Sequence, residues 1–120
     1  MITLKDFWDK NSDALKQGES SEIVYKGSTK FHGGKYSDGK YLWYDDGSTC
    51  IPLFGINSLE DLEKRCDEYI NGNVLCCRCC KVLNREKRGS YERWFAGVYC
   101  HDCWTREDEE NRSWDYAHWD

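Results

Sequence analysis

Eight cysteines stand in a chain of 120 residues, and four of them fall into a pattern with a chemistry of its own. Cys76 with Cys79, and Cys100 with Cys103, give C-x2-C-x20-C-x2-C. Zn2+ takes four soft ligands in a tetrahedron, with thiolate sulfurs at about 2.3 Å. A C-x2-C turn aims two thiolates at one ion while its own backbone N–H groups donate to the sulfurs. A second such pair, returned by the chain between them, closes the shell. The spacing therefore predicts one structural zinc on Cys76, Cys79, Cys100 and Cys103. Cys77 and Cys80 repeat the C-x2-C one residue along, which leaves 19 residues between pairs, and that register stays open. Cys50 lies in a strand-like pattern and Cys66 on a helical stripe, where each reads as a small buried hydrophobe. Two metals sharing all eight thiols would need Cys50 and Cys66 beside the cluster, which no spacing indicates.

Other residues invite chemistry less strongly. His101 sits beside a ligand cysteine, as a nuclease histidine does in some zinc modules. Of the remaining histidines, His32 and His118, neither falls in a frame that would complete such a site. No Gly-rich phosphate loop, G-x-S-x-G elbow or H-E-x-x-H is present. A closed four-thiolate shell also leaves the metal without an open position. The expectation is a binding protein and not an enzyme, with a zinc-containing nuclease as the third reading.

Residues 74–104 resemble the small zinc-knuckle and treble-clef modules with the pattern C-x2-C-G-[KR]-x-L followed by G-x-x-C-x2-C, some of which occur in short bacteriophage and bacterial proteins. Cys76 to Leu83 fits the first part with Cys80 in the glycine place, and Gly97 to Cys103 fits the second. This favours the Cys76/Cys79 register. The resemblance covers about a quarter of the chain and implies zinc, whereas such modules serve many tasks. It implies that the second pair sits at the start of a helix, and Cys100-His-Asp-Cys-Trp-Thr-Arg-Glu-Asp-Glu-Glu reads as one, with acids at the positive end of the helix dipole.

Charge divides the chain. The net charge is −5, and residues 102–120, with seven acids and two bases, hold all of it. There Glu107, Asp108, Glu109 and Glu110 precede Trp114, Tyr116 and Trp119. An acidic, aromatic surface suits a protein partner with a basic face, since opposite charge speeds encounter and Trp and Tyr anchor interfaces. A phage-type inhibitor or modulator occupying a host protein's nucleic-acid-binding groove would carry such a surface. The competing reading is nucleic-acid binding by the hairpin at 78–95. In it Arg78, Lys81, Arg85, Lys87, Arg88 and Arg93 would track phosphates while Tyr91, Trp94 and Phe95 stack on bases. Arg78, Lys81 and Arg85 also lie where they would offset the −2 charge of a zinc tetrathiolate.

These residues need a scaffold. Thr3-Leu-Lys-Asp6 is a capping box, and Leu4, Phe7, Trp8 and Leu15 share a helical face, predicting a helix from about Thr3 to Gln17 ended by Gly18. Ile23-Val24-Tyr25 reads as a strand. Gly33-Gly34, Asp38-Gly39 and Asp46-Gly47 read as turns, with a hairpin over Tyr41 to Leu53. Ser58-Leu-Glu-Asp61 caps a second helix whose stripe of Leu59, Leu62, Cys66, Tyr69 and Ile70 ends at Asn71-Gly72. The expected class is α+β. Residues 1–73 form a helix, small antiparallel sheet and second helix that fold largely on their own. Residues 74–120 form a treble-clef or ribbon zinc segment with an acidic C-terminal helix or tail. The N-terminus has no apolar run after a basic start and no stretch is long enough to cross a bilayer. The expected setting is therefore the cytoplasm, a host's cytoplasm if the protein is viral, where thiols bind metals more often than they form disulfides.

Overall fold

The computed structural model describes residues 1–45 and 49–117. The expected turn at Asp46-Gly47, the Tyr116 side chain and Trp119 lie outside the described residues.

Strand β1 (Ile2–Thr3) leads directly into helix α1 (Leu4–Trp8). The capping box is formed: the Asp6 N–H donates to Thr3 Oγ1 at 3.1 Å, and the Thr3 N–H donates to the Asp6 carboxylate at 3.2 Å. The helix is far shorter than the expected Thr3–Gln17. After Trp8 the chain breaks into turns because polar side chains capture the backbone: the Asn11 N–H goes to Asp9 Oδ1 and the Ala14 N–H to Ser12 Oγ. Asp and Ser offer these local bonds in competition with the helical ladder. Leu15 still reaches the core, from a bend and not from a helical face.

Strands β2 (Ser20–Tyr25), β3 (Ser28–Tyr36), β4 (Gly39–Tyr44) and β5 (Thr49–Cys50) continue a five-stranded sheet in chain order, antiparallel except for the parallel β1–β2 edge. The β2–β3 turn is Lys26-Gly27, where both residues have positive φ, as two-residue hairpin loops demand. Gly33 and Gly34, expected to turn the chain, lie inside β3 opposite Ser21 and Ser20. The reason at Gly33 is close approach. A Cβ there would stand 2.7 Å from Ile23 Cδ1 and 2.8 Å from the Phe7 ring, so the glycine lets α1 press onto the sheet. Gly33→Ala is accordingly expected to cost about 1–3 kcal/mol by overpacking, read as a lowered urea midpoint.

Helix α2 (Leu59–Ile70) forms as expected, with Ser58 Oγ accepting the Asp61 N–H at 3.2 Å. Leu62, Cys66 and Tyr69 are fully buried against the sheet. Burial pushes the Cys66 thiol up to about 12, which fits an inert core residue.

Two small antiparallel hairpins follow: β6 (Asn73–Leu75) with β7 (Val82–Asn84), and β8 (Tyr91–Trp94) with β9 (Gly97–Cys100). Helix α3 (Arg106–Ala117) ends the described chain. The class is mixed α+β, with the cysteine pairs in the C-terminal half. Apolar contacts cross Asn71-Gly72-Asn73. Leu4, Phe31, Leu42 and Tyr69 share one apolar cluster with Val74, Leu75, Cys76, Leu83, Tyr91 and Val98. Polar links cross the same line: the Leu75 N–H donates to the Tyr69 hydroxyl at 3.3 Å, Arg85 to the Tyr69 carbonyl at 3.1 Å, and the Cys50 N–H to the Ala96 carbonyl at 3.0 Å. No helix among the described residues is long and apolar enough to cross a membrane.

Candidate metal centre

The β6–β7 hairpin carries the first cysteine pair in its connecting turn. The Cys76 N–H donates to the Lys81 carbonyl at 3.0 Å, and the Cys80 N–H to the Cys76 carbonyl at 2.8 Å, so the turn folds back tightly. That closure requires positive φ at its last residue, and Cys80 supplies it at φ 60°. Cys80 therefore occupies the backbone conformation that a glycine would take at lower cost. The second pair lies where β9 ends. Cys100 is its last residue, and the N–H groups of Cys103 and Trp104 both return to the Cys100 carbonyl, at 3.1 and 3.0 Å.

These two turns bring together Cys76, Cys79, Cys100 and Cys103, whose sulfurs all lie within 4.8 Å of one another. Sulfurs about 2.3 Å from a tetrahedral Zn2+ stand about 3.8 Å apart. The Cys79–Cys100 sulfur separation of 3.6 Å already matches such an edge. Four thiols and no competing carboxylate make the set soft, which suits zinc. Of the two overlapping registers, the structure gathers the sulfurs of Cys76 and Cys79 and not those of Cys77 and Cys80. Cys80 closes the turn. The Cys77 N–H donates to the Val98 carbonyl at 2.8 Å, which ties the knuckle-like turn to β9. Neither belongs to the quartet, nor do Cys50 and Cys66. All eight cysteines are free thiols, so no disulfide framework is present.

The electrostatics of the quartet prepare it for a cation. At Cys76 burial raises the thiol pKa, but N–H groups of Cys100, Arg78 and Cys79 outweigh it and bring the thiol down to about 6. The Arg78 N–H is 3.4 Å from the Cys76 sulfur. Cys103 moves the other way, to about 12, because its thiol hydrogen-bonds to Cys100 and Cys79 within the cluster. At Cys79 the Lys81 N–H favours the thiolate, yet burial and the neighbouring thiols leave its pKa raised. A lone thiolate is therefore stabilised at Cys76, while Cys79 and Cys103 hold their protons until a dication arrives. Zinc binding at pH 7 is expected to release the protons that the quartet still holds, those of Cys79 and Cys103 among them. Calorimetric titrations in buffers of differing ionisation enthalpy read that number directly. Acidification restores the protons, so zinc affinity is expected to fall as the pH is lowered.

One residue pair locks the centre to α3. The Arg78 guanidinium donates to both oxygens of Asp108, at 2.5 and 2.8 Å, and to the Cys103 carbonyl at 2.8 Å, and it lies 4.8 Å from the Tyr99 ring centroid. Asp108 also caps its own helix: its carboxylate accepts the Thr105 N–H at 2.9 Å, and its N–H donates to Thr105 Oγ1 at 3.1 Å. Arg78 and the Thr105 N–H together hold the Asp108 carboxyl well below the usual range. Sequence reasoning missed this clamp. Its signal was Thr105-Arg-Glu-Asp108, the same T-x-x-D spacing that marks α1.

The remaining acidic and basic candidates divide between the interior and the surface. Asp108 is buried and committed to Arg78. Glu109 accepts from Trp104 Nε1 and Arg112, while Glu107 and Glu110 are exposed, Glu110 beside Arg106 at 3.4 Å. Trp114 is 62% exposed. On its other face α3 is fastened to the β8–β9 hairpin: Arg112 pairs with Glu92 at 2.6 Å, and Trp94 Nε1 donates to Asp115 at 3.1 Å. Among the cations proposed for phosphate binding, Arg78 grips Asp108 and Arg85 donates to Tyr69 and faces the Tyr44 ring. Arg93 donates to Thr49 Oγ1 at 3.0 Å. Lys81 stands 3.7 Å from Asp102, and Lys87 and Arg88 are exposed at the short 3-10 turn Arg88–Ser90. His101 is half-exposed, 3.8 Å from Glu92.

No protein-family model, curated protein or solved structure matches the chain.

Proposed function

We propose that the chain is a non-enzymatic binding protein whose zinc holds α3 in place, and that the outer face of α3 meets a protein partner with a basic surface. The observation that supports this most is the Asp108 carboxylate. It caps α3 and grips Arg78 beside the cysteine quartet, so the helix is fixed with Glu107, Glu110 and Trp114 outward. Rigid presentation of acids around an exposed indole suits a fast, charge-steered encounter completed by an aromatic anchor. The resemblance to zinc modules of short phage and bacterial proteins, together with that charge, makes a nucleic-acid-binding groove of a host protein the proposed target. The module is then a treble clef, with the order knuckle, hairpin, helix in its favour. Nucleic-acid binding by the hairpin at 78–95 is weakened because Arg78, Arg85 and Arg93 are engaged within the fold.

The test is capture of partners from a host lysate treated with nuclease. Wild type is compared with a Glu107→Lys, Glu110→Lys, Trp114→Ala variant and with a Lys87→Glu, Arg88→Glu variant. All five positions are exposed, so the fold survives the changes. Loss of a nuclease-resistant protein partner in the first variant alone is expected. Capture that disappears with nuclease, or in the Lys87/Arg88 variant alone, would replace this function with nucleic-acid binding.

A further inference from the structure

A groove of about 480 Å3 lies at the other end of the sequence, where α1, β4 and the start of α2 meet, lined by Lys5, Trp8, Asp9, Lys10, Lys40 and Leu59. Its size falls in the range of small-molecule sites, which span about 300–1,000 Å3. Three ammonium groups face one carboxylate, and that carboxylate already accepts the Asn11 N–H at 2.9 Å. Lys5 and Lys10 are exposed at the rim. Lys40 is held in place, donating to the Phe7 carbonyl with its ammonium 5.3 Å from the Phe7 ring centroid. Burial, and then the nearby Lys35, depress the Lys40 pKa, with Asp9 acting in the opposite direction. The floor is apolar: the half-buried indole of Trp8, and Leu59, the first residue of α2, whose first turn also carries Glu60 and Asp61.

We infer that this groove binds a phosphate monoester carried on a planar ring, the chemistry of a nucleoside monophosphate, with the ring against Trp8 and the phosphate among Lys5, Lys10 and Lys40. The surplus of cations matches a phosphomonoester, which carries about −1.5 to −2 at neutral pH. An indole offers the stacking face that any base accepts, worth about 1–3 kcal/mol per base in single-strand binders. The same group is found on free nucleotides and on the 5′-phosphorylated end of a strand. The groove is independent of the cysteine quartet and of α3.

The experiment is calorimetric titration of the full, zinc-loaded chain with adenosine 5′-monophosphate, adenosine, inorganic phosphate, and a dinucleotide with and without a 5′-phosphate. The Trp8 indole N–H is followed by NMR in the same titrations. Saturable binding of the monophosphate is expected, with adenosine and phosphate each weaker by about tenfold or more. Lys5→Gln with Lys10→Gln should weaken it by a similar factor, and these rim positions leave the fold alone. Preference for the phosphorylated over the unphosphorylated dinucleotide assigns the strand end as a source, and its absence assigns the free nucleotide. Three results would overturn the inference: no saturation by the monophosphate, equal binding of phosphate alone, or unchanged affinity in the double lysine variant.

Discussion

Cys76→Ser is expected to strip the metal and to destabilise the whole chain, not only the segment around it. Structural zinc contributes on the order of 10 kcal/mol of apparent folding free energy in small modules. Cys76 is fully buried, and it belongs to the same apolar cluster as Leu42, Leu62 and Tyr69. Opening the quartet releases β6 and β9 from each other, and with them Val74, Leu75 and Val98, which cover one side of the sheet–helix core. Thermal unfolding followed by far-ultraviolet circular dichroism should show one transition, moved strongly downward, in the variant and in chelated wild type alike. A lost C-terminal transition beside an unchanged N-terminal one would instead show that residues 1–73 fold as an independent unit.

Tyr69→Ala carries the second large effect. Tyr69 is fully buried, its ring lies 5.7 Å from that of Tyr44, and its hydroxyl accepts the Leu75 N–H one residue before the first cysteine of the quartet. Truncating a large buried aromatic costs about 3–5 kcal/mol. That is a large fraction of the roughly 5–15 kcal/mol that stabilises a typical domain. Because the ring supports the strand entering the knuckle, zinc affinity should fall with stability. Tyr69→Phe keeps the ring but leaves the Leu75 N–H without its acceptor, a cost of about 1–3 kcal/mol. Denaturant titration and a competitive zinc indicator measure the two effects separately. Equal zinc affinity in wild type and Tyr69→Ala would show that the core and the metal centre are uncoupled.

The metal quartet was legible in the sequence because its signal is local: two C-x2-C pairs at zinc-ligand spacing. The choice between overlapping registers was not, since Cys76/Cys79 and Cys77/Cys80 have identical spacing. The fold distinguishes them by gathering the sulfurs of Cys76 and Cys79 with those of Cys100 and Cys103, and leaving Cys77 and Cys80 out of the cluster. Helix α2 was legible from its cap and its stripe. Helix α1 was overextended because the apolar spacing reached Leu15 while Asp9 and Ser12 were ending the helix through their side chains. Gly33 looked like a turn because the reason for it, the Phe7 ring on a different element, is a contact that sequence neighbours do not show. The same holds for Arg78 and Asp108. Arg78 read as a phosphate contact or as charge balance for the metal and Asp108 as a partner contact, and the structure pairs the two with each other.

Elemental analysis of the purified, reduced protein by plasma mass spectrometry tests the metal centre most directly. About one zinc per chain is expected, because four thiols make one full shell. That value should be kept by Cys50→Ser, Cys66→Ser, Cys77→Ser and Cys80→Ser, and lost by Cys76→Ser and Cys100→Ser. A folded wild-type chain with no metal would contradict the zinc assignment, and a Cys77→Ser variant that loses zinc while Cys76→Ser retains it would contradict the choice of ligands.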